Sequence, residues 1–284
     1  MVDPLARYRV LHLTTNVPGP VAASKLARAG ARVVKVEPPG GDSLEAVAPG
    51  WYESIHQGQT VLRLDLKTPE GLGKMEELLA ESDLFLTTTR PQGLERLKLD
   101  WKSVHARHPA LSMVRIQGYP APRENVAAHD LCCQARAGLL APPALPRALV
   151  SDFAAAERAY SASLLLLLAM QERREGACTV VTLQDSAEEF AAAFRAGLTG
   201  GRGALGGAVP AYGLYEAKGG WIAFAALEPH FLERFRSKLA LGEVSAESLT
   251  RVFRGRTARE WEEFGDANDI PLAAVADLEG SSGH

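Results

Sequence analysis

The sequence predicts an α/β protein: a parallel sheet flanked by helices, followed by a smaller second domain. Three observations predict it. Strand-like and helix-like segments alternate from Arg9 to Gly118, the rhythm of a doubly wound sheet. The first two strands enclose one helix, which makes a right-handed βαβ unit. The composition then changes at the glycine-rich stretch from Thr199 to Pro210, which reads as a hinge or boundary. Domains are therefore expected over 1–197 and 198–284.

Arg9 to Leu13 (RVLHL) reads as a short buried strand. The turn TTNVPGP follows, then a helix over VAASKLARAG, with Pro20 in its first turn and Gly30 at its C-terminal cap. ARVVKVE returns as a second strand. Pro38 to Gly50 is rich in Pro and Gly and reads as a loop. TVLRLDL alternates apolar and polar residues as a strand does, and Thr68 caps a helix with Pro69 at its first position, running to about Ala80.

LFLTT is the next strand, followed by a turn and one or two short helices, and then by the strand LSMVRIQG. Phe153 to Arg174 holds no proline or glycine and predicts a long, largely buried helix. CTVVTL reads as a strand and SAEEFAAAFRAGL as a helix. Past the glycine-rich stretch, YGLYEA and WIAFAAL flank KGG as a hairpin. A helix follows from Pro229 to about Leu239, and Thr257 with Glu260 forms a capping box for another. IPLAAVADL opens either a strand or a helix.

Composition excludes some partners. The net charge of -3 over 284 residues, with 46% hydrophobic and 23% charged residues, gives no basis for nucleic-acid binding. The three cysteines, Cys132, Cys133 and Cys178, form no Cys-x-x-Cys pair; no metal site is expected, and a reducing compartment is. The start, MVDPLARYRV, has no signal-like apolar core. The apolar run Leu164 to Met170 is short against the ~20 residues a bilayer requires. A cytoplasmic protein without a membrane partner is expected.

The chemistry-bearing stretch is Ala127 to Asp152, AAHDLCCQARAGLLAPPALPRALVSD. His129 and Asp152 bracket one helix and one loop, so they can face each other across a pocket. Such a pair can take a proton from one side of a carbon and return it from the other. Two structural alternatives stand beside that reading: a hydrogen-bonded histidine, and an aspartate capping the next helix. The turn from Asn16 to Pro20 falls at the carboxyl end of the first strand, where open α/β sheets bind ligands. It lacks the G-x-G-x-x-G spacing, so a nicotinamide dinucleotide is not expected.

Several stretches together resemble the class III CoA-transferase family, and within it the alpha-methylacyl-CoA racemase branch. They are PGPVAASKLARAGARVVKVEPPGGD, LDLKTPEG, RPQGLERLKLDW, HDLCCQARAGLL, DFAAA and GGAVPAYGLYEAKGGWIAFAALEPHF. The resemblance covers nearly the whole chain, in order. It implies a Rossmann-like large domain that binds CoA, a smaller domain, and an interlocked homodimer, or a heteromer with a paralogue. CoA is expected as part of the substrate, with no tightly bound cofactor.

By the same resemblance, Asp152 is the catalytic carboxylate. It is a nucleophile toward the thioester in the transferases and an acid/base at the alpha carbon in the racemases. His129 corresponds to the second acid/base, and Glu228, in ALEP, to a carboxylate that supports it. Asn16, Lys35, Arg90 and Asp130 are the candidate contacts to CoA. The chain departs from the family pattern in four places. HQGQT, His56 to Thr60, stands where a basic segment is usual, and Ala154 to Ala156 stand where glycines usually follow the aspartate. PAPRENVAA replaces the usual GQTGP loop, and the C-terminal part is short. These departures carry the competing expectation, a non-catalytic relative that partners an active one.

Overall fold

The structure is a computed structural model that describes residues 3–173 and 175–277. The described residues fall into two compact units, divided between Ala191 and Ala192. The glycine-rich stretch therefore lies inside the second unit.

The first unit is built on six strands: β1 (Arg9–Leu13), β2 (Arg32–Glu37), β3 (Thr60–Arg63), β4 (Leu84–Thr87), β5 (Ser112–Gln117) and β6 (Cys178–Thr182). All neighbouring pairs are parallel, in the order β3-β2-β1-β4-β5-β6. Val10 is in register with Val33 on one side and Leu84 on the other. The chain winds outward from β1 in one direction, then crosses back to β4 and winds outward in the other. The strand order thus reverses between β1 and β4, which opens a crevice beyond their carboxyl ends.

The two faces of the sheet explain the apolar strand runs. Successive side chains point to opposite faces, and here both faces are covered. Val10, Leu84, Leu86, Val114 and Ile116 pack on one side with the helices Pro18–Arg28, Val150–Arg173 and Leu183–Phe190. Leu11, Phe85 and Met113 pack on the other with Met75, Leu79, Leu94 and Val104 from the helices Pro69–Ala80, Pro91–Leu97 and Trp101–Arg107. Each fully buried leucine adds roughly 1.5–3 kcal/mol, so the doubly covered sheet is the rigid frame of the site.

Several boundaries differ from the sequence expectation. The first helix starts at Pro18, with Pro20 in its first turn. Pro38 to Gly50, read as a loop, contains the helix Ser43–Val47 and the start of Pro49–His56. The reason is Asp42: its carboxylate accepts from the Leu44 amide and nucleates a helix that the Pro/Gly punctuation conceals. The long helix begins at Val150, so Asp152 sits in its first turn rather than at its cap. By length and composition this 24-residue helix is apolar enough to cross a membrane. Its Ala155, Ala156, Ala159 and Leu167 are buried in the core of the first unit.

The second unit holds β7 (Tyr212–Ala217), β8 (Gly220–Ala225) and β9 (Leu272–Ala274), an antiparallel sheet in that order. The segment left open between strand and helix is therefore a strand at Leu272. Three helices, Pro229–Leu239, Ala246–Phe253 and Ala258–Asn268, cover it. Phe224, Phe235, Phe253 and Trp261 fill the core between them, and the Trp261 indole donates to the Phe253 carbonyl at 2.8 Å. The Thr257–Glu260 capping box is formed, and Ser245 with Ser248 makes a second one for Ala246–Phe253.

Candidate active site

The site lies at the carboxyl ends of β1, β4 and β5. The turn after β1 is held open by Asn16, whose φ of 65° lies in the left-handed region that asparagine tolerates better than most residues. The Asn16 amide donates to Asp42 Oδ1 at 3.1 Å, and its side-chain oxygen accepts from Ser43 Oγ at 2.8 Å. Arg90 follows β4, and Gln117 ends β5. His129 precedes the helix Asp130–Ala137, and Asp152 stands in the first turn of Val150–Arg173.

These pieces meet. Asn16, Arg90, His129 and Asp152 line one cavity of about 210 Å³, together with Thr15, Thr88 and Gln117. Four of the seven residues expected at the site are thus brought together by the first unit. Asp152 is nearly buried, and its environment is the unusual one. Burial, and then the charge of Asp130, push its carboxyl up to about 7. A carboxyl near neutrality can both take and give a proton at physiological pH.

Asp130 is placed differently from its expected role as a CoA contact. It is 4% exposed. Its Oδ1 accepts from the amides of Ser151 and Asp152, at 2.7 and 3.1 Å, and its Oδ2 accepts from Gln134 Nε2 at 2.5 Å. Asp130 therefore caps the helix that carries Asp152, from 22 residues upstream. It satisfies the amide ends and fixes where Asp152 stands.

Lys35 is also placed differently. As an expected CoA contact it would reach the crevice; it is instead fully buried. Its ammonium lies 2.8 Å from each of Glu37 Oε1, Asp42 Oδ2 and His56 Nε2. Tyr52 donates to the same Glu37 oxygen at 2.7 Å. His56 accepts from Lys35, so its Nδ1–H donates to the Tyr52 carbonyl at 2.7 Å. His12 lies beyond, with Nε2 3.0 Å from Gln59 Oε1 and Nδ1 2.7 Å from Thr14 Oγ1. Burial and the Lys35 charge push His12 down to about 3 and lower His56 as well, so both rings are neutral. The His56 and Gln59 of HQGQT thus belong to a buried network. Ala154 to Ala156 are likewise buried along the long helix rather than lining the cavity.

Glu228 is exposed and stands at the N-terminal cap of Pro229–Leu239, with no hydrogen bond from its side chain to that helix. It belongs to the second unit. Among the described residues no group of three or more His, Cys, Asp or Glu is arranged to hold a metal.

A larger cavity, of about 720 Å³, opens beyond the ends of β1 to β4. Lys67 and Arg96 are its cations, and it shares Thr15 and Thr88 with the smaller one. Sequence reasoning did not single out Lys67 or Arg96. Both lie in the stretches that carry the family resemblance, LDLKTPEG and RPQGLERLKLDW.

The chain is similar to several known proteins. Succinyl-CoA–D-citramalate CoA-transferase of Chloroflexus aurantiacus is 32% identical over 201 residues, 63% of this chain. The match spans 48% of that transferase, so the chain covers about half of its length. Human alpha-methylacyl-CoA racemase is 27% identical over 95% of this chain and 77% of its own. Among solved structures, a hypothetical protein of Mycobacterium tuberculosis superimposes with a TM-score of 0.83 at 23% identity, over 99% of this chain and 86% of that one. A CaiB/BaiF family protein from Brucella suis gives 0.82 at 20% identity, over 97% and 85%. With residues 5–282 matching the family pattern, the chain belongs to CoA-transferase family III.

Proposed function

We propose that this chain is an acyl-CoA enzyme in which Asp152 is the reacting carboxyl group. The observation that supports this most is the pair of cavities that share Thr15 and Thr88 in their walls. An acyl-CoA is long, with an anionic nucleotide at one end and a thioester at the other. The larger cavity offers Lys67 and Arg96 to phosphates, and it shares Thr15 and Thr88 with the smaller cavity, where Asp152 and His129 stand.

Two chemistries fit that placement. In the first, Asp152 and His129 work on the alpha carbon. One removes the proton, the electron pair moves into the thioester as an enolate, and the other returns a proton to the opposite face. A carboxyl raised to about 7 suits this role, because both its forms are populated near neutral pH. This is the reading preferred here. It includes Glu228 as the support of His129 and a homodimer as the assembled state. In the second, ionised Asp152 attacks the thioester carbonyl and CoA leaves as the thiolate. The thiolate then attacks the aspartyl carbonyl of the resulting mixed anhydride, which frees the donor carboxylate and leaves an aspartyl-CoA thioester. An acceptor carboxylate attacks that thioester, expels the thiolate and forms a second mixed anhydride. The thiolate takes the acceptor's acyl group from it as the new acyl-CoA, freeing Asp152. The relatedness to the citramalate transferase favours that alternative.

Alpha-proton exchange in deuterated water tests the choice. A 2-methylacyl-CoA is expected to take up one deuterium in the presence of the wild-type chain and none with Asp152→Asn. Absence of exchange, combined with an acyl hydroxamate recovered from Asp152 by hydroxylamine, would replace isomerisation with transfer. Neither signal, and no acyl-CoA binding, would leave a non-catalytic relative.

A further inference from the structure

We infer that Asp42 is a positioning residue for the chemistry at Asp152: it ties the buried Lys35 network to Asn16, and so sets where Asn16 stands in the wall of the small cavity. The inference rests on the acyl-CoA reading above and goes beyond it.

The first observation is where the two oxygens of Asp42 go. Asp42 is 3% exposed. Its Oδ2 meets the Lys35 ammonium at 2.8 Å. Its Oδ1 accepts from two amides, those of Asn16 and Leu44, both at 3.1 Å. One carboxylate thus joins β2, the turn after β1 and the start of the helix Ser43–Val47. A helix cap needs only the Leu44 amide, and an ion pair needs only Lys35. The bond to Asn16 belongs to neither, and it leads to the cavity.

The second observation is how the turn is held. Three consecutive residues are each fastened to a different partner. Thr14 is buried, with Oγ1 2.7 Å from His12 Nδ1. The Thr15 amide donates to Thr88 Oγ1, beyond β4, at 3.1 Å. The Asn16 amide donates to Asp42, at a residue whose φ of 65° is unfavourable for an L-amino acid. The bond to a charged acceptor offsets that cost.

The third observation is what the anchor presents. Asn16 is exposed to the crevice and lines the small cavity with His129 and Asp152. Its side-chain oxygen accepts from Ser43, the residue after Asp42, at 2.8 Å. The other end of that amide, Nδ2, can only donate. Asp42 fixes the backbone of Asn16 and Ser43 fixes the polarity of its head, so the cavity wall carries a donor in a set place. At a reacting centre, a displacement of about 1 Å can lower turnover on the order of 100-fold.

The test separates position from stability. Asp42→Ala removes both the acceptor for the Asn16 amide and the partner of Lys35. Asp42→Asn keeps an acceptor oxygen for the amides but faces Lys35 without a charge. Both are expected to lower Tm. Turnover of a 2-methylacyl-CoA is read as deuterium uptake, or as the rate of hydroxamate formation where the wild type gives that signal instead. Asp42→Ala is expected to lower kcat roughly 10- to 100-fold, with KM and free-CoA affinity within about two-fold of wild type. Asp42→Asn is expected to keep kcat within about three-fold, despite its lowered Tm. Ser43→Ala tests the same device where the fold is not at risk. It is expected to lower kcat several-fold at unchanged Tm, with Ser43→Thr restoring it. The double variant with Asn16→Ala is expected to match Asn16→Ala alone, because Ser43 acts through Asn16. An unchanged kcat in Asp42→Ala or in Ser43→Ala overturns the inference and leaves the acyl-CoA reading intact. So does a kcat that falls equally in Asp42→Ala and Asp42→Asn, or a loss confined to KM and free-CoA affinity. A wild type that gives neither signal overturns both.

Discussion

Two polar regions lie at the carboxyl end of the same sheet, one buried around Lys35 and one partly open around Asp152, and they are arranged differently. Around Lys35 the groups are paired: the ammonium meets Glu37, Asp42 and His56, and Glu37 also accepts from Tyr52. Around Asp152 they are not. Asp130 is fully engaged as a cap, while Asp152 is buried beside it with its carboxyl raised, and Arg90 and His129, which line the same cavity, are exposed to solvent. Buried polar groups that serve the fold are satisfied. Groups that serve chemistry are left with unspent capacity. Burial and pairing together, rather than residue type, distinguish the two regions, since both contain carboxylates, histidine and a cation.

The largest expected effect comes from breaking the paired region. Lys35→Met leaves Glu37 and Asp42 facing each other in a buried space without their cation. Removal of one partner from a buried ion pair costs about 3–5 kcal/mol. For a chain of this size that lowers Tm by on the order of 10 °C. Arg90→Leu, with no partner to lose, is expected to change stability by under about 0.5 kcal/mol. Thermal unfolding of the two variants checks the contrast. Similar losses in both would show that pairing does not distinguish these regions.

The next effect has the opposite sign. Burial, and then the Asp130 charge, raise folded Asp152 to about 7, from an ordinary carboxyl value of 3.8. Between those pH values the folded chain holds a proton that the unfolded chain has released, so stability falls as pH rises through the window. Asp152→Asn removes this term. Relative to wild type, the variant is expected to gain on the order of 2–4 kcal/mol between pH 4 and pH 8. Urea unfolding at the two pH values measures the difference. A gain that stays constant with pH would mean that Asp152 titrates at an ordinary value.

The sequence made legible the fold and two residues, His129 and Asp152, that line one cavity, for reasons the structure makes plain. Strand and helix signals were local: apolar runs in β1, β2, β4 and β5, and caps at Thr68 and Thr257. His129 and Asp152 stand within one motif-bearing stretch and line the same cavity. What escaped was non-local. Lys35 is buried because Asp42 and His56, 7 and 21 residues away, fold back over it. Nothing in KVEPP announces them. Asp130 was read as a ligand contact because its partners, the amides of Ser151 and Asp152, are backbone groups that no side-chain motif can show. The helix Ser43–Val47 was hidden by the Pro and Gly around it.

The smallest expected effect sharpens the comparison at its most delicate point, the two aspartates. In Asp130→Asn the amide oxygen can still accept from the Ser151 and Asp152 amides, so the cap survives. Loss of the charged acceptor costs about 1–2 kcal/mol. The second consequence concerns Asp152. Burial is the larger cause of its raised value and Asp130 the smaller, so removing the charge lowers the Asp152 titration without returning it to the ordinary carboxyl range. Carboxyl-carbon NMR of Asp152 across pH measures this directly. An unchanged titration would mean that burial alone sets Asp152, and Asp130 would then act on the site only by fixing where the first turn of the Val150–Arg173 helix stands.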